Sequence, residues 1–111
     1  MKLTPLQQAV YNLLPRGSQR PRTQAEIASL IESKPDVRTI AEVITQLIKL
    51  GIPVGSSRAE NSGHYLIETE EERTATVKPL SQQASAEMSR INALMQIDLA
   101  DFWTKEKPHT D

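Results

Sequence analysis

The segment 36–51, DVRTIAEVITQLIKLG, constrains the fold more than any other part of this chain. Ile40, Val43, Ile44, Leu47 and Leu50 recur at the 3.6-residue period of an α-helix, with Val37 and Ile48 at the margin of the stripe. Arg38, Glu42, Thr45 and Lys49 fall on the opposite side, flanked by Thr39 and Gln46. Asp36 suits the N-cap, where its carboxylate accepts an exposed backbone N–H, and Gly51 suits the left-handed residue after the last turn. Such a helix has one face that must be covered and one that carries polar groups outward. The next residues cannot continue it. Gly51-Ile52-Pro53-Val54 and His64-Tyr65-Leu66-Ile67 read as parts of two short strands. The polar tip between them, GSSRAENSG, is longer than a hairpin needs for turning.

Three further helices follow from the same signals. Thr4 caps the first and Pro5 opens it, with Leu6, Val10, Leu13 and Leu14 as its apolar stripe. A basic loop, RGSQRPRT, carries Arg16, Arg20 and Arg22. Thr23 and Glu26 form a capping box for the second helix, whose buried face is Ile27, Ala28, Leu30 and Ile31. Ser33-Lys34-Pro35 breaks it, and so short a link forces the second and third helices to cross at a large angle, as in a helix-turn-helix. After the hairpin, Thr69 and Glu72 repeat the capping pattern. Pro79 ends or kinks that helix, and the apolar positions then resume from Leu80 by steps of three or four. The expected fold class is mainly α with a small β-hairpin. The expected organisation is a compact domain over residues 1–68, a helical extension over 69–103 kinked near Pro79, and a flexible polar tail over 104–111.

The chain has no cysteine, which excludes disulfide scaffolds and thiolate metal sites. No run approaches the roughly 20 apolar residues of a membrane span, and the opening MKLTPLQQAVYNLL is amphipathic rather than signal-like. A cytoplasmic protein without membrane partners is therefore expected. Residues 1–66 carry eight basic and five acidic side chains, residues 67–111 five basic and nine acidic. A mildly basic front on an acidic rear fits a polyanion-binding module with an extension, although the front alone is ordinary for a neutral domain. His64 and His109 have no carboxylate cluster at metal-ligand spacing, and no phosphate loop or nucleophile elbow is present. No metal, no cofactor and no active site are expected.

Residues 4–68 resemble a winged helix-turn-helix domain, in particular small winged-helix proteins of phages and prophages and the N-terminal domains of biotin-ligase repressors. Arg38, Leu47, Gly51, Pro53, Ser56, Ser57, Gly63, Tyr65 and Ile67 carry the likeness, and His64 inserted between Gly63 and Tyr65 departs from it. The resemblance implies that the third helix is a recognition helix and the hairpin a wing. Arg38, in the first turn, would then hold a guanine edge or a phosphate. Thr39, Glu42, Thr45, Gln46 and Lys49 would share that face. Ser56, Ser57, Arg58 and Asn61 would serve the wing, and Arg20 and Arg22 the flanking backbone. Glu42 reads equally as a solvated residue pairing with Arg38. The implied function is non-enzymatic binding of double-stranded DNA in transcription regulation or DNA replication, in a protein of phage or prophage type. The alternative is a module that docks on a replication or transcription protein. Ala84, Met88, Ile91, Met95, Leu99 and Phe102 have no obvious place in so small a core. They either fold back onto the domain or pair with a second copy, and pairing to make a homodimer is the expectation.

Overall fold

A computed structural model describes residues 2–57, 63–80 and 88–105. It is mainly helical, with one small antiparallel sheet. In chain order the elements are α1 (Pro5–Leu13), α2 (Gln24–Leu30), α3 (Val37–Lys49), β1 (Val54–Ser57), β2 (Gly63–Leu66), α4 (Glu70–Leu80), α5 (Met88–Gln96) and α6 (Leu99–Lys105). The caps explain where the first three helices begin. Thr4 and Gln7 form a reciprocal capping box at α1. Thr23 accepts from the Glu26 N–H at α2, and Asp36 accepts from the Thr39 N–H at α3. The end of α3 is a Schellman motif. Gly51 takes φ 98°, its N–H bonds the Ile48 carbonyl, and the Ile52 N–H bonds that of Leu47. Only glycine enters that conformation without a Cβ penalty.

β1 and β2 pair in the register Val54↔Leu66, Gly55↔Tyr65, Ser56↔His64 and Ser57↔Gly63. The free edge of β2 is also used. The Gly17 N–H bonds the Leu66 carbonyl, the Leu66 N–H bonds the Pro15 carbonyl, and Arg22 and His64 exchange both backbone bonds. The α1–α2 connection is thus a strap laid along the hairpin. A Cβ on Gly63 would lie 2.7 Å from the Arg22 backbone, so this close pairing depends on a glycine there.

Val10, Ile27, Ile40, Ile44, Leu47, Leu66 and Ile67 are at the centre of the core. Two expectations about α3 are reversed. Leu50 is 45% exposed, whereas Ile48 is only 2% exposed, because α5 packs against the flank that carries Ile48. In α2, Leu30 is likewise exposed rather than buried.

The C-terminal extension differs most from expectation. α4 runs through Pro79 and ends one residue later at Leu80, since a proline in the last turn removes only one late backbone bond. Residues 88–105 are not one helix. α5 stops at Gln96, and α6 restarts with Asp98 accepting the Asp101 N–H at 3.0 Å. Arg73 on α4, only 8% exposed, supplies the reason for the break. Its Nη1 donates to the Leu94 carbonyl at 2.9 Å and the Ile97 carbonyl at 2.6 Å, so a cation caps the negative end of α5. Glu70 holds the other side of the same guanidinium. Ile91, Leu94, Leu99 and Phe102 are buried by the chain itself. Each such side chain contributes about 1.5–3 kcal/mol on burial, which favours packing in cis over waiting for a partner. Ile91, Leu99 and Phe102 are therefore withdrawn from the expected self-association stripe. Met88 and Met95 remain exposed, and Ala84 lies outside the described residues. Thr104 and Lys105 are helical rather than tail, and residues 106–111 lie outside the described set.

Arg73→Ala leaves the end of α5 without its donor and removes the buried partner of Glu70. We expect a loss of about 2–3 kcal/mol in urea unfolding, with faster protease cleavage between α4 and α6. Arg73→Lys, which keeps the charge but not the fork, should recover part of that loss. An unchanged urea midpoint in Arg73→Ala would show that the arm is held by apolar packing alone.

Candidate nucleic-acid interface

α3 offers solvent one face about 16 Å long from Arg38 to Lys49, taking 1.5 Å per residue. Arg38, Glu42, Gln46 and Lys49 are exposed on it, and Thr39 and Thr45 are half-buried. Among the described residues Arg38, Glu42 and Lys49 make no hydrogen bond or ion pair. The Arg38–Glu42 pair that a solvated helix face would form is not made. Gln46 is engaged through its Oε1, which accepts from Gln7 Nε2 of α1 at 2.9 Å. Asp36 takes the Thr39 backbone N–H, which holds its carboxyl below the usual range and leaves an anion behind the first turn.

The strap places Arg20 in solvent and Arg22 half-buried beside His64, towards the tip end of β2. Arg16 does not join them. It pairs with Glu68, and its guanidinium stacks 4.1 Å from the centre of the Trp103 ring. Trp103 in turn donates its Nε1–H to the Ile67 carbonyl at 2.9 Å and meets Phe102 edge-on. This arginine and this tryptophan hold α6 against the hairpin.

The hairpin root is more occupied than its composition suggests. The Ser56 N–H donates to Thr76 Oγ1 on α4, and the Ser56 hydroxyl lies 3.2 Å from His64 Nδ1. Ser56 is therefore a brace between β1, β2 and α4, its backbone N–H held by Thr76 and its hydroxyl oxygen held against the His64 ring. Ser57 is half-buried in β1, and Arg58 and Asn61 lie outside the described residues.

His64 is the functionally interesting residue that sequence reasoning left as a bystander. It is 9% exposed, with Nε2 3.1 Å from Gln24 Nε2 at the start of α2 and Nδ1 beside Ser56. A neutral ring with its proton on Nδ1 satisfies both contacts, since Gln24 Nε2 can only donate. Burial pushes this imidazole below its ordinary range, the backbone of Gly55 opposes that shift, and the charge of Arg90 adds to it. The spacing in the sequence gives no hint that residues 24, 56 and 64 meet.

The opposite end of α3 is different in character. Lys49 stands over a cleft of about 430 Å³ whose wall from α5 and α6 includes Asp98 and Asp101. Asp101 pairs with Lys105 at 3.4 Å. Among the described residues no group of three or more metal-ligating side chains is placed to hold an ion, and no helix is long and apolar enough to cross a membrane. No protein-family model, curated protein or solved structure matches the chain.

The buried neutral His64 sets a pH dependence. The unfolded chain takes up a proton below about pH 6.5 whereas the folded chain resists it. The stabilising contribution is therefore complete above that pH and declines as pH falls towards the lower folded-state pKa. His64→Gln keeps hydrogen-bonding capacity without titrating. Urea midpoints measured across mildly acidic pH should drop less steeply in this variant than in the wild type, and equal slopes would disprove the assignment.

Proposed function

We propose that this chain is a non-enzymatic protein that binds double-stranded DNA as a winged helix-turn-helix module, in transcription regulation or DNA replication. One observation carries the reading. The N-terminal turn of α3 presents Arg38 to solvent without a side-chain partner, and the β1–β2 hairpin stands beside the same helical unit, its root held by the strap that carries Arg20 and Arg22. An α-helix fits the major groove, and recognition helices commonly meet base edges with their N-terminal residues. Arg38 is the residue for a guanine edge or a phosphate, and Arg20, Arg22 and Lys49 supply sequence-independent attraction to the backbone. Glu42 sits between the two cations of α3. It repels phosphate and accepts from a cytosine amino group, so it favours sequence selection over raw affinity.

Docking on a replication or transcription protein is the second reading. The carboxylates of Asp98 and Asp101 beside Lys49 favour it, because they oppose a polyanion at that end of α3. Salt separates the two. DNA affinity falls steeply with added salt, whereas an apolar protein interface does not.

Fluorescence anisotropy with a mixed-sequence duplex at low salt tests the proposal. Binding should be seen at micromolar protein. Arg38→Ala should weaken it by about 1–3 kcal/mol, and Glu42→Gln should strengthen binding to non-specific duplex. Arg20→Ala should lower the slope of log affinity against log salt by about one. Absence of binding at low salt, with wild type and Glu42→Gln alike, would exclude DNA as the ligand.

A further inference from the structure

α1 and α2 enclose an open groove of about 720 Å³. One wall is Leu6, Ala9 and Leu13 of α1, the other is Leu30, and Ile31 lies between. Leu30 is 53% exposed, a large apolar side chain left in water. The groove is also unusually free of charge. No residue from Leu3 to Pro15 is ionisable as an acid or base at neutral pH, and Glu32 is the single charged residue in the lining. Charged residues make up 24% of the chain, so thirteen consecutive neutral positions on a surface element need a reason. The lining has no convergent set of polar groups to orient a small ligand. It has the character of the centre of a protein–protein interface, where charge is depleted.

The same chain carries a matching ridge. Met88 and Met95 on α5 are 48% and 54% exposed, and Ser89, Asn92 and Gln96 beside them are exposed and neutral. Met88 and Met95 are seven residues apart, as are Leu6 and Leu13. Both pairs therefore repeat at about 10.5 Å along their helices. Methionine is the side chain best able to fill an irregular apolar groove. Ridge and groove cannot meet within one molecule, because α1 and α5 lie on different flanks of α3. Gln46 bonds α1 while Ile48 faces α5, and these positions are about 200° apart on a helical wheel.

We propose that the groove between α1 and α2 receives the Met88–Met95 ridge of a second copy of this chain, in a head-to-tail contact. Because the two surfaces differ, the contact does not close on itself. Each added copy covers one free surface and brings another of the same kind, so the product is a row that always keeps one open groove and one open ridge. α3 lies between the two contact surfaces and recurs once per copy. The inference does not rest on the DNA reading, since the assembly is built by apolar surfaces distinct from the Arg38 face.

Sedimentation velocity on the full chain over a wide concentration range tests it. The wild type should show a mass that rises with concentration without a plateau at dimer. Leu30→Glu blocks the groove and Met95→Glu blocks the ridge. Both changes are at exposed sites, and circular dichroism would confirm that each variant is folded. Each variant alone should be monomeric. An equimolar mixture should give a pair and nothing larger, because one variant retains a ridge and the other a groove. A monomeric wild type at the highest concentration would overturn the proposal. So would association by Met95→Glu alone, which signals groove-to-groove contact, or by Leu30→Glu alone, which signals ridge-to-ridge contact.

Discussion

The main chain of β2 is hydrogen-bonded along both edges, and most of the molecule is assembled on that fact. On one side it pairs with β1, and on the other with the strap at residues 15–17 and 22. A two-stranded hairpin is marginal in water, and a third segment of backbone gives it stability that side chains alone would not. The strand continues to matter past its end. The Ile67 N–H bonds the Pro53 carbonyl, and the Ile67 carbonyl receives Trp103 from α6. The loop after α1, the hairpin and the C-terminal helix thus converge on five consecutive residues. All of β2 is buried, as its central position requires.

α4 has the complementary task, and two neighbouring charged residues perform it in opposite directions. Glu72 accepts from the backbone N–H groups of Glu68 and Ser18, which fastens the strap. Partial burial pushes its carboxyl up, and these hydrogen bonds outweigh that effect and hold it below its ordinary range. Arg73, one residue on, is rotated about 100° around the helix and fastens α5. A helix with no marked apolar face is thereby fixed between the hairpin and the C-terminal arm by hydrogen bonds to other segments' backbone. A charge buried in this way is stable because its partners are carbonyls and amides that would otherwise be unsatisfied.

The sequence made α3 legible almost to the residue, because a 13-residue helix carries several turns of periodicity and both of its caps are local. The hairpin was legible because two short apolar runs flank a polar, glycine-bounded tip. The strap was not. Its pairing is made by backbone groups of Pro15, Gly17 and Arg22, and backbone pairing leaves no side-chain pattern in a segment of arginines and serines. The arm was misread for a related reason. Arg73 in the run EEER looks like a solvated charge, and nothing local says that its partners are carbonyls more than twenty residues away. Asp98 was the one local sign that the C-terminal stretch breaks, an N-cap residue inside an apparently continuous stripe. Among the proposed DNA contacts, Arg38 and Lys49 needed only the helical wheel. Gln46 Oε1 meets Gln7 of α1 and Ser56 meets His64 across the hairpin, contacts that no wheel reveals.

α3 is polarised along its length, and this limits how any partner can approach it. Its last turn is walled by α5 and α6, with Asp98 and Asp101 facing Lys49 across the cleft. Its first turn is open, since Val37 is 46% exposed and Arg38 stands in solvent. A helix with its side chains is about 10–12 Å across and the major groove about 12 Å wide, so a helix flanked on both sides along its length cannot lie flat in the groove. It can enter by the end that projects. That end carries the Arg38 cation and the positive pole of the helix dipole, with the Asp36 carboxylate already taking the Thr39 N–H behind it. The acidic wall stays outside, where its repulsion is screened within a Debye length of about 8 Å at physiological salt. The proposed mode of binding is accordingly tip-first. It makes Arg38 the focus of recognition, and it places Lys49 and the arm at the rim.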